Sequence, residues 1–106
     1  MNILTSYDEK VIEKNVESSG GLNPVVVAIE ELAELQQELT KVLRENLAGD
    51  ARASRERIAE EMADVAIMLE QLQKLFKNEK AVGVYIDYKI ERLKLRLEDK
   101  GVKIND

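Results

Sequence analysis

The chain has 106 residues, 44% hydrophobic and 35% charged, with 21 acidic against 16 basic side chains and a net charge of −5. One domain fits that length, and aromatics at 4% with a single proline and five glycines speak for helices joined by few loops rather than a β-sandwich or barrel. Cysteine and histidine are both absent. This excludes disulfides, thiolate or imidazole metal sites and Ser-His-Asp chemistry, so any metal site must use oxygen ligands and a hard cation.

The acidic balance argues against duplex nucleic acid as a partner. No apolar run approaches the roughly 20 residues of a membrane span, and Met1 to Ser6 lack the basic and apolar regions of a signal peptide. The expectation is a cytoplasmic protein without a membrane partner, folded as one all-α, four-helix bundle-like domain over residues 1–106.

The first helix is predicted from about Tyr7 to Glu17, opened by a Ser6-x-x-Glu9 capping box and closed by Gly20-Gly21. The second opens with Asn23 as N-cap and Pro24 in the first turn, and runs to about Asn46 before the stop at Gly49. Its stripe Ile29, Leu32, Leu39 and Leu43 is joined by Val25, Leu35 and Val42 on another side, and a helix apolar on two sides is buried on two sides. The third, capped by Asp50 or Ser54, reaches about Lys77 with a seam of Ile58, Met62, Val65, Leu69, Leu72 and Phe76. After Asn78 a fourth helix extends to about Lys100 with Gly101 beyond it, and Val82, Ile86, Ile90, Leu93 and Leu97 make its inward face. The tail 102–106 is expected to fray. Val84, Leu95, Ile67 and Leu75 remain apolar outside these seams, which points to a homo-oligomer, a dimer or a tetramer.

Chemistry concentrates in two acidic segments. The second helix carries Glu30-Glu31-Leu32-Ala33-Glu34 with Glu38 one turn on, and the third carries Glu60-Glu61-Met62-Ala63-Asp64. Glu31 with Glu34, and Glu61 with Asp64, are three apart and therefore share a helix face. In an antiparallel hairpin, facing positions have numbers that add to a constant. Glu34 with Glu61 and Glu31 with Asp64 both give 95, whose midpoint falls at Leu47-Ala48 beside the stop at Gly49. A hairpin turning there brings four carboxylates level. Flanked by Leu32, Leu35, Met62 and Val65, they repel and lose hydration unless protonated or neutralised by a divalent cation, Mg²⁺ or Mn²⁺. The alternative is a solvated acidic face on a non-catalytic helical interaction module.

These segments resemble the signature of the all-α nucleoside triphosphate pyrophosphohydrolases, the MazG-like superfamily: Glu-Glu-x-x-Glu, a spacer, then Glu-x-x-Asp. The likeness spans roughly Ala28 to Leu97 and is closest in texture to the small stand-alone and phage-type members. The resemblance implies Glu31, Glu34, Glu61 and Asp64 as Mg²⁺ ligands, with Glu30 and Glu60 as leading acids. It implies hydrolysis of a nucleoside triphosphate to monophosphate and pyrophosphate, in nucleotide-pool sanitation, by a dimer or tetramer. Glu34 or Glu38 is the candidate proton acceptor, and Glu38 could also support a second ion. Lys89 and Arg92 fall where members place phosphate-contacting bases; otherwise they are solvated helix charges. Leu93 stands where deoxycytidine-type members carry Asn, which puts dCTP-type recognition in doubt. Tyr85 or Tyr88 could stack on a base or serve a helix contact.

Overall fold

The computed structural model describes residues 3–47 and 55–105. Among them are four helices and no strand: α1 Ser6–Ser19, α2 Asn23–Leu47, α3 Arg55–Phe76 and α4 Glu79–Asp99. The protein is all-α. The stop at Gly49 and the caps expected at Asp50 or Ser54 lie outside the described residues.

Helix boundaries follow local chemistry closely, with one shift. α1 is capped by Thr5 rather than Ser6: the Asp8 N–H donates to Thr5 Oγ1 at 3.0 Å, and the Thr5 N–H donates back to Asp8 Oδ2 at 2.9 Å. Thr5-x-x-Asp8 is itself a capping box one residue upstream, and starting there adds a further backbone bond, Glu9 N–H to Thr5 O. Gly20 and Gly21 both adopt positive φ at the exit of α1, where a side chain would be strained. In α2 the Val26 N–H reaches the Leu22 carbonyl, so the helix begins a residue before Asn23 can act as cap. α3 ends at Phe76 and is followed by Lys77, a non-glycine residue with φ of 52°. α4 closes on a Schellman arrangement, with Gly101 N–H to Glu98 O and Val102 N–H to Leu97 O. That arrangement holds the first residue of the expected frayed tail.

The chain forms two compact units, Met1–Phe76 and Lys77–Asp106. Within the first, α2 and α3 pack along their length and α1 lies mainly against α3. Ala28 and Val65 are buried between the hairpin helices and Ile12 under α1, while Leu35, Val42, Ile58 and Leu72 are half-buried. Gln71 is buried too, its Oε1 accepting a hydrogen bond from Asn15 Nδ2. Near that pair, α1 and α3 leave an open, mostly apolar groove of about 590 Å³ lined by Tyr7, Val11, Asn15 and Ile67.

The apolar seams are only partly covered. The face of α2 that meets α3 carries Ala28, Leu35 and Val42; the longer stripe Ile29, Leu32, Leu39 and Leu43 is exposed. On α3, Met62, Leu69 and Phe76 of the expected seam are also exposed, Phe76 at 56%. In the second unit, Ile86, Ile90 and Leu93 of the α4 stripe are exposed and Val82 and Leu97 half-buried. A stripe shows that a surface needs cover without showing what supplies it, and the single chain leaves these residues in water.

Candidate metal centre

α2 and α3 are antiparallel, and their register sets the site. Arg57 near the start of α3 bonds Glu38 at 3.2 Å and lies 3.6 Å from Glu45. Along the same seam Glu31 sits beside Asp64, and Glu61 beside Glu34, so that each carboxylate feels the charge of its neighbour across the helices. One carboxylate oxygen each from Glu31, Glu34 and Glu61 lies within 4.8 Å of the other two. Four acids from two helices thus meet in one patch. Glu31, Glu61 and Asp64 are half-buried, and Glu34 faces water.

Their electrostatics are unfavourable as they stand. Glu31 Oε2 and Glu61 Oε2 are buried with no hydrogen-bond partner. Burial, followed by repulsion from Glu34, Asp64 and Glu61, raises the Glu31 carboxyl above the ordinary carboxylate range. Burial, with Glu34 and Asp64 next, does the same to Glu61, and Glu60 adds to it. A buried carboxylate oxygen without a donor is rare in folded proteins and asks for a proton or a cation. Three convergent oxygens with a fourth acid alongside match the donor set of Mg²⁺ or Mn²⁺, which take oxygen ligands and retain several waters.

The other acidic candidates do not join the three convergent oxygens. Glu38 is committed elsewhere: Lys41 Nζ reaches its Oε1 at 3.0 Å and Arg57 Nε its Oε2. The Lys41 hydrogen bond first, then the charges of Lys41 and Arg57, hold its carboxyl below the ordinary value despite partial burial. Such a carboxylate is a weak proton acceptor and a firm tie between helices. Glu30 and Glu60 are exposed. Lys89 and Arg92 occupy one exposed face of α4 in the second unit, together with Tyr85 and Tyr88. The roles of Arg57 and of the Asn15–Gln71 pair were not foreseen from sequence. Arg57 was within reach, since 57 and 38 also add to 95, the register of the acid pairs. Asn15 and Gln71 carry no comparable signal, because a glutamine on a helix gives no sign of burial.

No family model, curated protein or solved structure matches the chain. The functional reading therefore stands on the site itself and on the motif that its residues spell.

Proposed function

We propose that the chain is a Mg²⁺-dependent nucleoside triphosphate pyrophosphohydrolase of MazG-like type, converting a nucleoside triphosphate and water to the monophosphate and pyrophosphate. The observation that carries this reading is the pair of partnerless buried oxygens, Glu31 Oε2 and Glu61 Oε2, inside a carboxylate cluster that two helices build together. A surface acidic patch would turn such oxygens to water; holding them out of water is unfavourable unless a cation completes the site.

Glu31, Glu34, Glu61 and Asp64 would hold the ion, Mg²⁺ or Mn²⁺. When bound, it supplies positive charge against the triphosphate oxygens and the charge that develops on phosphoryl transfer. Glu34, the water-facing member, accepts the proton of the attacking water. The water oxygen forms a bond to phosphorus as the bond to the bridging oxygen breaks, and pyrophosphate leaves with that electron pair. Lys89 and Arg92, one helical turn apart, grip the phosphate chain. Homo-oligomerisation belongs to the same reading, as does a role in clearing unwanted nucleotides.

The test is a panel of canonical and damaged nucleoside triphosphates with Mg²⁺, assayed for pyrophosphate, on wild type and Asp64→Asn. Asp64→Asn keeps the side-chain shape while removing a charge and a hard donor. Its kcat should fall at least about a hundredfold, with the fold intact by circular dichroism. Absence of pyrophosphate release across the panel, or full activity in Asp64→Asn, refutes the assignment.

A further inference from the structure

The groove between α1 and α3 holds an amide that the chain satisfies only by half. Gln71 is 7% exposed, and its Oε1 accepts from Asn15 Nδ2 at 3.3 Å. Its Nε2 has no acceptor among the described residues, although a buried donor left unmade is costly. Gln71 lines the groove, about 590 Å³ in volume, together with the apolar side chains of Val11, Ile12 and Ile67. Asp8 also lies on the lining, but its carboxylate is engaged by the Thr5 N–H in the α1 cap. A mostly apolar pocket of this size with a donor at its floor suits a neutral, planar organic group that carries an acceptor.

The groove follows the metal centre along α3. Asp64, Ile67 and Gln71 are three and four residues apart, so they share one face of that helix. At 1.5 Å of rise per residue, Gln71 lies about 10 Å along the axis from Asp64. A nucleotide with its phosphates at the acids reaches that far with its base. Tyr7, 74% exposed on α1, offers a ring for the base to stack on at the mouth of the groove. We infer that the groove takes the base of the substrate, and that Gln71 selects bases with a carbonyl at the six-position of a purine or the four-position of a pyrimidine over those with an amino group there. Uracil, thymine, guanine and hypoxanthine are then favoured, adenine and cytosine disfavoured. The inference rests on the nucleotide reading of the acid cluster and adds the base that the reading leaves open.

The pairing with Asn15 makes the choice. A free glutamine amide reads adenine with both halves, donating to a ring nitrogen and accepting from the amino group. Here the acceptor half is occupied by Asn15, so a ligand meets the donor alone. A carbonyl oxygen accepts from it. An amino group in the same place sets N–H against N–H and leaves two donors unmatched out of water, and a site that rejects a ligand in this way discriminates steeply.

The experiment titrates the isotope-labelled full chain, without metal, with inosine, adenosine, uridine and cytidine, and follows the Gln71 side-chain amide signal by magnetic resonance. Inosine differs from adenosine, and uridine from cytidine, only in the group under test and the ring proton beside it. Inosine and uridine should shift that signal and bind at least about tenfold more tightly than their amino counterparts. Gln71→Met keeps the length of the side chain, removes the donor and should abolish the preference. Should that variant fail to fold, Asn15→Ala at an exposed position frees Gln71 Oε1, lets the amide turn to either base class and should also abolish the preference. No binding by any nucleoside, equal or reversed affinities in wild type, or a Gln71 signal that stays still at saturation overturns the inference. The nucleosides carry no phosphate, so the result is separate from catalysis. Pyrophosphate release from triphosphates without this preference leaves the proposed reaction standing and overturns the base selection; the preference without pyrophosphate release leaves the base selection standing and overturns the reaction.

Discussion

Glu31 and Glu61 set the stability of the hairpin against pH. Both carboxyls are raised, mainly by burial and then by repulsion from Glu34 and the other acids, so the folded chain holds on to protons that the unfolded chain gives up. For a raised acid, stability is fully present below the unfolded pKa of about 4.3 and is lost as pH climbs through the folded pKa. Metal-free protein should therefore melt at progressively lower temperature as pH is raised from about 4.5 towards neutrality. Glu31→Gln with Glu61→Gln should flatten that slope in a thermal melt series, and an unchanged slope would place both acids in water. Glu38 acts oppositely: its lowered carboxyl contributes above its unfolded pKa and loses that contribution as pH falls through the folded value. Millimolar Mg²⁺ or Mn²⁺ at neutral pH should raise the melting temperature of wild type, since an ion that binds the native state alone stabilises it. In Glu31→Gln with Glu34→Gln that rise should vanish. The four acids were legible because helical spacing and one glycine stop define a register by arithmetic. The commitment of Glu38 was not, because its sequence environment shows an acid on the right face without showing Arg57 and Lys41 reaching it first.

At the scale of the element, caps and stops were legible to within a residue and the identity of the buried face was not. Ser6-x-x-Glu9 and Thr5-x-x-Asp8 are overlapping versions of one motif, and the choice between them rests on a single added turn bond. Thr5→Ala removes the Oγ1 acceptor for the Asp8 N–H and should destabilise the first unit by about 1 kcal/mol, read by chemical denaturation. Ser6→Ala should have little effect on the same measurement, because Ser6 already lies inside the helix. The faces are a different problem. Leu35 and Val42 alternate with the Ile29, Leu32, Leu39 and Leu43 stripe around one cylinder, and hydropathy ranks the latter first by number. Packing against α3 selects the former, because that side also carries Ala28, small enough for close helix approach. The shorter stripe faces the chain's own hairpin partner while the longer one stays open. α4 repeats the theme within its own unit: Val82, Ile86, Ile90 and Leu93 on one side, Val84, Tyr88 and Leu95 on the opposite one.

For the whole molecule, the imbalance between apolar surface and core becomes a statement about mass action. Ile12, Pro24, Ala28 and Val65 are the buried apolar residues among the described ones, which is a slight core beside the entropy of ordering four helices. Apolar surface that is still open, such as the Ile29, Leu32, Leu39 and Leu43 stripe of α2, adds stability when association covers it. If a second copy supplies the cover, folding and association are one equilibrium, and the melting temperature must depend on protein concentration. Each tenfold dilution reduces the stability of a dimer by RT ln 10, about 1.4 kcal/mol, so melts recorded across two decades of concentration should separate by several degrees. Leu39→Glu should melt at a lower temperature that no longer moves with concentration. Mg²⁺ should raise wild-type melts at every concentration, because the acids and the open α2 stripe lie on different faces of the hairpin helices and their contributions add. Concentration-independent wild-type melts would mean that the chain folds without associating.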